Sequence, residues 1–365
     1  MKALKIFGII LAGFVLVLVI LLLSLIRPDL PVDKLVDRYT DESSLFLNID
    51  GMEVHLKDEG SGPALLLLHG MFASLHTWDP WAEAMSDDFR IVRIDLPGFG
   101  LTGPHPKGDY SLRASMYLLE TIRKELGIES WTLIGNSMGG GLALSYAQFF
   151  PDYTDKVVLF NGGRLLTPAS GPAHAANQAP EPKAEPVASA SDTDENREDE
   201  AETETARQPV VSSNERQSLV LRALGSPSLR NALSVLTPKF IIEASLKEVY
   251  GDPERLKPET VTRYYEMLRR EGNRKAYLNR RQPQPRQENS LPELPETVNI
   301  NHTEIPVLIV WGRLDTWISV STGYRLHQAM THSELIIYED LGHVPMEEDP
   351  ERTIAAVREF LMKAD

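Results

Sequence analysis

Residues 131–150, WTLIGNSMGGGLALSYAQFF, constrain the fold of this chain more than any other stretch. The apolar run at residues 131–134 predicts a buried strand, and the residues after Ser137 predict a helix. Between them lies a G-x-S-x-G sequence, in which small residues allow a sharp, strained turn that lifts the serine hydroxyl clear of the sheet. The stretch therefore predicts a nucleophile at Ser137. A glycine-rich helix start capped by a serine is the alternative, which the rest of the chain has to decide.

Apolar runs of strand length alternate with helical patterns on both sides of this turn. The predicted strands are residues 45–49, 52–57, 63–69, 89–95, 156–160, 305–311 and 334–338. The predicted helices between and after them are residues 75–85, 111–126, 321–330 and 350–362. This alternation predicts an α/β fold with a doubly wound, mostly parallel sheet and helices on both faces.

The alternation is interrupted by a long insertion, predicted at residues 164–300. Residues 168–213 are rich in Ala, Pro, Glu, Asp, Ser and Thr, and cannot bury enough apolar surface to offset the entropy of ordering, so we expect disorder there. Residues 216–282 predict a helical cap, with helices at 216–224, 228–236, 239–250 and 259–271, followed by a linker rich in proline and glutamine. The core is thus predicted in two parts, residues 44–163 and 301–365.

The N-terminus predicts a membrane anchor at residues 1–27. No charged residue occurs from Ile6 to Ile26, and about 20 apolar residues in a helix span a ~30 Å hydrocarbon core. A cleaved signal peptide would have a shorter apolar region and a small-x-small cleavage site, which is absent at the end of this run. Lys2 and Lys5 favour an N-terminus inside, although Arg27 weakens the charge difference. We therefore expect one transmembrane helix, a polar tether at residues 28–43, and a periplasmic or extracytoplasmic body.

Composition excludes several classes of partner and cofactor. The formal net charge is -15, whereas nucleic-acid binding needs a basic patch, so no nucleic acid is expected. The chain has no cysteine, which excludes disulfides, thiolate chemistry and cysteine-ligated zinc. Neither a paired-histidine metal motif nor a phosphate-binding glycine loop occurs, and we therefore expect no metal and no cofactor.

Three residues with complementary chemistry follow predicted strands. A serine hydroxyl is a poor nucleophile unless a base removes its proton, and the base needs a third group to hold its tautomer. Ser137, Asp315 and His343 occur at C-terminal strand ends, where the edge of a doubly wound sheet brings side chains together. Their order along the chain, Ser then Asp then His, is the order expected for an α/β-hydrolase.

With these residues in place, the chain resembles the α/β-hydrolase fold superfamily over residues 45–163 and 303–362. The matching segments are LLLLHGMF, DLPGFGLTG, GNSMGGG, VLIVWGRLD and LGHVPMEEDP. The resemblance implies that Ser137 is the nucleophile, His343 the general base and then acid, and Asp315 the orienting carboxylate. It also implies an oxyanion hole formed by the backbone N–H groups of Met71 and Met138.

Other residues near these segments have alternative interpretations. Phe72 is the neighbouring candidate for the second oxyanion donor, and the Met71 and Phe72 side chains could simply line the pocket. His69 and Asp95 could be read as extra catalytic groups or a metal pair. We interpret both as structural residues that shape the loops around the oxyanion hole.

Serine at the turn also restricts the reaction. The related epoxide hydrolases and haloalkane dehalogenases use an aspartate there, so an ester, thioester or amide substrate is expected. We predict a carboxylic-ester hydrolase acting on a small acyl substrate, and the predicted anchor suggests lipid or acylglycerol esters. One alternative is a hydrolase of carbon–carbon bonds in ring-fission products, for which GNSMGG is a typical turn sequence. Those enzymes typically have tryptophan after the catalytic histidine, where Val344 occurs here. A non-catalytic, ligand-binding member is the other alternative.

Overall fold

A computed structural model describes residues 26–163, 237–280 and 304–363, together with Phe7, Gly13, Phe14 and Leu16. In this part of the chain eight strands form one sheet in the order β1-β2-β4-β3-β5-β6-β7-β8. The strands are β1 (Ser44–Ile49), β2 (Met52–Glu59), β3 (Ala64–Leu68), β4 (Arg90–Ile94), β5 (Trp131–Asn136), β6 (Thr154–Phe160), β7 (Val307–Gly312) and β8 (Ser333–Tyr338). Strand β2 pairs antiparallel with β1 and β4, and all other pairs are parallel. The prediction of a mostly parallel sheet is confirmed.

Helices connect most of the strands. They are α1 (Val32–Tyr39), α2 (Asp79–Met85), α3 (Leu112–Glu125), α4 (Met138–Phe149), α5 (Lys239–Val249), α6 (Pro258–Leu268), α7 (Asn273–Arg280), α8 (Ser321–Ala329), α9 (Pro345–Glu348) and α10 (Pro350–Met362). The predicted helix at residues 75–85 divides into a 3₁₀ helix, Leu75–Trp78, and α2, which begins with Pro80 in its first turn. Proline has no N–H to donate and fits the first turn of a new helix.

The sheet is covered on both faces because alternate residues of its strands point to opposite sides. Leu66 and Leu68 of β3 join one apolar cluster with side chains of α3, α4 and α8. Leu65 and Leu67 join a second cluster with side chains of α2 and α10. Every residue of β3 is buried, as its uninterrupted apolar sequence predicted.

Helices α5, α6 and α7, residues 239–280, lie between β6 and β7 in the chain, and we call them the inserted helices. Val249 and Val261 from these helices are buried in the second apolar cluster, so the inserted helices pack directly on the core. The predicted helices at 239–250 and 259–271 are found close to their expected bounds. The predicted helices at 216–224 and 228–236, and the predicted disorder at 168–213, lie outside the described residues.

The interpretation of residues 28–43 as a polar tether is wrong, because this segment is folded against the inserted helices. It contains α1, and the backbone N–H of Leu30 donates to the Arg269 carbonyl at 2.6 Å. Leu35 is only 2% exposed and packs with Met267 in a small apolar cluster. Asp29 forms a 2.6 Å ion pair with Arg274. The apolar stripe that contains Leu35 was missed in the sequence analysis because most residues around it are charged or polar.

Among the residues described here, no helix is both long enough and apolar enough to cross a membrane. The predicted anchor falls almost wholly outside this part of the chain, which includes only Phe7, Gly13, Phe14, Leu16, Ile26 and Arg27 from it. The anchor at residues 1–27 therefore stays a prediction.

Candidate active site

Ser137 occupies a strained turn between β5 and α4. Its backbone has φ 52° and ψ -112°, a region that non-glycine residues seldom adopt. Glycine is required on both sides because the turn is so tight: a Cβ on Gly135 would lie 2.4 Å from the Gly139 carbonyl carbon, and one on Gly139 would lie 2.2 Å from the Leu68 carbonyl oxygen. The G-x-S-x-G sequence thus forms the predicted turn, with Ser137 half-buried at its apex.

Asp315 and His343 form a buried hydrogen-bonded pair at the ends of β7 and β8. His343 Nδ1 lies 2.7 Å from Asp315 Oδ2, and both side chains are almost inaccessible to solvent. Asp315 Oδ1 accepts the backbone N–H groups of Trp317 at 2.8 Å and Ile318 at 2.9 Å. Asn161 Nδ2 donates to Oδ2 at 2.7 Å. Four donors therefore hold the carboxylate in position, and the histidine is oriented by a fixed acceptor.

Asn136 connects the serine turn to the histidine loop. Its Nδ2 donates to the His343 carbonyl at 3.0 Å and to the Phe160 carbonyl at 3.1 Å. From the other side, the His343 N–H donates to the Val249 carbonyl at the end of α5 at 2.7 Å. The structure thus places the Asp315–His343 pair beside the turn that carries Ser137, with the histidine backbone held between core and inserted helices.

The loop after β3 lies directly against the serine turn. A Cβ on Gly70 would lie 2.6 Å from Asn136 Oδ1 and 3.4 Å from Ser137 Cβ. Phe72 has a positive φ of 67°, so the chain turns sharply just after Met71. Gly70 and Ser137 are thus close neighbours. Met71 directly follows Gly70 and Met138 directly follows Ser137, so the two predicted oxyanion donors come from backbone segments that approach each other.

His69 and Asp95 make hydrogen bonds to the loops around them. Leu96 N–H donates to His69 Nε2 at 3.0 Å and His69 Nδ1 donates to the Gly70 carbonyl at 2.7 Å, which assigns a neutral tautomer. Burial lowers the pKa of the His69 imidazole, in agreement with that tautomer. Burial opposes ionisation of Asp95, but hydrogen bonds from His55 and from the Leu75 N–H outweigh it and hold the pKa of this carboxyl well below its usual range. These contacts fit the structural role that we predicted for both residues.

Sequence reasoning missed four residues of this region. Asn136 and Asn161 were assigned no role in the sequence analysis, although a polar side chain ending a buried strand is a usable signal. Trp317, whose ring centre lies 5.4 Å from that of His343, and Arg280, which contacts Met138, carry no local pattern that marks them. Over residues 26–163, 237–280 and 304–363, no group of three or more His, Asp or Glu side chains is arranged to hold a metal ion.

Comparison with known proteins identifies relatives of this chain. The chain is 27% identical over 337 residues to a 2-hydroxy-6-oxononadienedioate/2-hydroxy-6-oxononatrienedioate hydrolase of Burkholderia vietnamiensis, covering 88% of this chain and 96% of that protein. It is 25% identical over 313 residues to a pimeloyl-[acyl-carrier protein] methyl ester esterase of Vibrio parahaemolyticus, covering 84% and 97%. Among solved structures, a membrane phospholipase A superposes with a TM-score of 0.61 at 21% identity, covering 99% of this chain and 98% of that one. At that identity the superposition shows a shared fold.

The sequence profile of the alpha/beta hydrolase fold matches residues 63–350, which include Ser137, Asp315 and His343. The match extends over most of the chain and agrees with the sheet order and with the serine turn. The homologues named above are hydrolases, which supports hydrolase activity here. We conclude that the chain belongs to the alpha/beta hydrolase fold family.

Proposed function

We propose that the protein is a serine hydrolase that cleaves carboxylic esters through an acyl-enzyme on Ser137. The observation that carries this proposal is the buried 2.7 Å hydrogen bond between His343 Nδ1 and Asp315 Oδ2, beside the strained serine turn. A histidine held in this way keeps Nε2 available as a base, which is what a serine nucleophile requires.

The proposed reaction has two steps. Ser137 Oγ attacks the ester carbonyl carbon while His343 takes the hydroxyl proton and Asp315 stabilises the resulting imidazolium. The developing oxyanion accepts hydrogen bonds from the N–H groups of Met71 and Met138, each worth about 2.7–4 kcal/mol in comparable sites. The tetrahedral intermediate then expels the alcohol, which receives the proton from His343. In the second step His343 deprotonates water, which attacks the acyl carbonyl carbon; the bond from this carbon to Ser137 Oγ then breaks, His343 returns the proton to Oγ, and the carboxylic acid is released.

Fluorophosphonate labelling combined with an ester panel tests this proposal. Ser137→Ala should abolish both labelling and hydrolysis. Ser145→Ala is the matched control, because Ser145 lies on the same helix and its hydroxyl donates to the Gly141 carbonyl. A folded wild-type protein that shows no labelling dependent on Ser137 would contradict the serine-hydrolase assignment and favour a ligand-binding member of the fold.

The proposed substrates are lipid or acylglycerol esters, with the inserted helices acting as a cap that faces a bilayer. The support for this is the apolar run at residues 6–26 together with the position of the segment that follows it. Arg274 of α7 donates to the Arg27 carbonyl at 2.7 Å, so the chain just beyond the predicted anchor contacts the inserted helices. In this proposal the anchor crosses the membrane once and the body is extracytoplasmic.

The preferred acyl-chain length of the substrate and the orientation of the protein in the membrane are tested separately. A variant lacking residues 1–26 should hydrolyse long-chain esters faster than acetyl esters, and equal rates would contradict the lipid substrate. In cells, the full chain should sediment with membranes, and protease added outside the inner membrane should digest the body. Digestion only after membrane lysis would contradict the orientation.

A carbon–carbon hydrolase is the second candidate, because the Burkholderia relative is named as a hydrolase of a hydroxy-oxo-dienedioate. The same three residues would act on a vinylogous ketone instead of an ester. Val344 follows His343, where such enzymes typically have tryptophan, and therefore favours the ester hydrolase. Loss of the dienol absorbance of a ring-fission product, without turnover of any ester, would favour the second candidate.

A further inference from the structure

Arg280, the last residue of α7, reaches from the inserted helices to the serine turn. Its Nη1 lies 3.3 Å from Met138 Sδ, and its Nη2 donates to the Pro97 carbonyl at 2.6 Å. Met138 is the residue directly after Ser137. The guanidinium therefore lies between the loop that follows β4 and the first residue of α4, next to the proposed nucleophile.

The guanidinium charge has no counterion in the part of the chain that the structure describes. Its carbon lies 4.9 Å from the ring centres of both Phe99 and Tyr110, which hold the side chain between two aromatic faces. Arg280 Nε is buried and has no hydrogen-bond partner among these residues. Burial lowers the pKa of Arg280 to about 10, so the group stays protonated at neutral pH. A desolvated cation without an anion is costly unless something else supplies the negative charge.

Several buried or half-buried arginines of the described chain are paired. Arg93, Arg123, Arg263 and Arg274 each contact at least one carboxylate. Arg270, between α6 and α7, also forms no ion pair within the described residues, and its buried Nε has no hydrogen-bond partner among them. Burial lowers the pKa of Arg270, although the carboxylates of Glu271, Asp95 and Asp29 oppose this shift. At Arg280 burial likewise lowers the pKa, and within the described residues no carboxylate opposes this shift; only the phenol of Tyr110 does.

A small cleft of about 30 Å³ borders this guanidinium. Pro97, Tyr110, Arg280 and the exposed Lys107 line it. Asp50 and Asp109 line it as well, but neither lies within ion-pair distance of Arg280. The cleft thus contains Arg280, whose contact with Met138 connects it to the serine turn, and brings a second basic side chain to the same space.

We propose that Arg280 binds an anionic group of the substrate, so that the preferred esters carry a carboxylate or a phosphate near the scissile bond. This proposal rests on the proposed ester hydrolysis and names the substrate class of the same site. A guanidinium fork matches carboxylate and phosphate oxygens, and its N–H groups not directed at Pro97 and Met138 supply the donors. An anion bound there neutralises the buried charge and positions the ester beside Ser137.

Two matched pairs of esters test the proposal and separate the two anions. The first pair is p-nitrophenyl hydrogen glutarate and its terminal carboxamide, which differ by one carboxylate charge. The second is a monoacylglycerol phosphate and the corresponding monoacylglycerol. Kinetics are compared for the wild type, Arg280→Gln, Arg280→Lys and the control Arg270→Gln, which removes another arginine charge from the inserted helices. Thermal unfolding confirms that each variant is folded.

We expect the wild type to prefer the charged member of at least one pair by about tenfold or more in kcat/KM. Arg280→Gln should remove this preference mainly through KM, and change the neutral member by less than about twofold. Arg280→Lys should keep part of the preference because it keeps the charge, and Arg270→Gln should keep all of it. A wild type without charge preference, or an Arg280→Gln variant that slows charged and neutral esters equally, would overturn the proposal.

Labelling of Ser137 distinguishes failure of this proposal from failure of the proposed function. If none of the four esters is turned over, the labelling rates of a carboxylate-bearing and a neutral fluorophosphonate provide the same comparison. Labelling of Ser137 without charge preference refutes the role of Arg280 alone. No labelling of Ser137 by either probe refutes the serine hydrolase and this proposal with it.

Discussion

Replacing Asp315 by asparagine should nearly abolish hydrolysis while leaving the fold intact. In the structure all four partners of the Asp315 carboxylate are donors: Trp317 N–H and Ile318 N–H on Oδ1, and Asn161 Nδ2 and His343 Nδ1 on Oδ2. An asparagine keeps one acceptor oxygen but places an NH₂ group against two of these donors. The two backbone donors cannot rotate away, so the amide oxygen should stay on their side.

The NH₂ group then faces His343 Nδ1, and this determines the size of the effect. Nδ1 can accept that hydrogen bond only if the ring proton moves to Nε2, and a protonated Nε2 cannot take the proton of Ser137. In a serine-protease triad the corresponding substitution lowers kcat about 10⁴-fold, close to 5.4 kcal/mol of transition-state stabilisation. We expect about the same loss here because the hydrogen bond is short and both partners are buried. Folding should lose only about 1–3 kcal/mol, from mispaired donors.

The assay is ester hydrolysis under saturating substrate, normalised to folded protein by thermal unfolding, with fluorophosphonate labelling as a second measure of Ser137 reactivity. Asp252→Asn is the control, since Asp252 also accepts a backbone N–H, from Glu254 at 3.0 Å, but lies outside the site. A folded Asp315→Asn variant that keeps more than about a tenth of wild-type kcat would refute this account of His343.

Three further predictions concern stability. Gly139→Ala should lower the free energy of unfolding by about 3 kcal/mol or more, because its Cβ would lie 2.2 Å from a backbone oxygen. Gly141→Ala on the same helix has nothing within 4 Å of its Cβ, so in denaturant unfolding it should be neutral or stabilise the fold by up to about 1 kcal/mol. Burial opposes ionisation of Asp79, but its bonds with His76 and Arg93 outweigh burial and lower its pKa to about 2. The stabilisation by the ionised carboxylate is therefore present above pH 4 and lost as the pH falls toward 2. The Tm difference between wild type and Asp79→Asn should shrink over that range, and a constant difference would contradict the shift. Asp29→Asn should lower the free energy of unfolding by about 1–2 kcal/mol and speed proteolysis of the inserted helices, because it removes the carboxylate partner of buried Arg274. Unchanged cleavage rates would contradict a role for the N-terminal segment in holding those helices.

The sequence by itself determined the parts of this protein that depend on short-range pattern. Alternating apolar runs predicted the parallel strands because a sheet covered on both faces requires continuous apolar segments. The glycines at 135 and 139 predicted the turn at Ser137 because the steric limits of that turn are local. Asp315 and His343 could be predicted as candidate partners of Ser137 because parallel strands deliver their C-terminal ends to one edge of the sheet, whatever the details of packing.

Long-range packing decided the rest. Asn136 holds the His343 carbonyl across 207 residues of sequence, Asn161 holds Asp315 across 154, and Arg280 reaches Met138 across 142. Local sequence does not reveal which residues pair in this way, because each pairing depends on how helices and loops from distant parts of the chain come together. The same reason explains the error at residues 28–43. The single apolar stripe around Leu35 becomes an ordered helix only when the inserted helices provide a surface to bury it. The proposed substrate preference depends on that same packing, since Arg280 comes from the inserted helices and not from the serine turn.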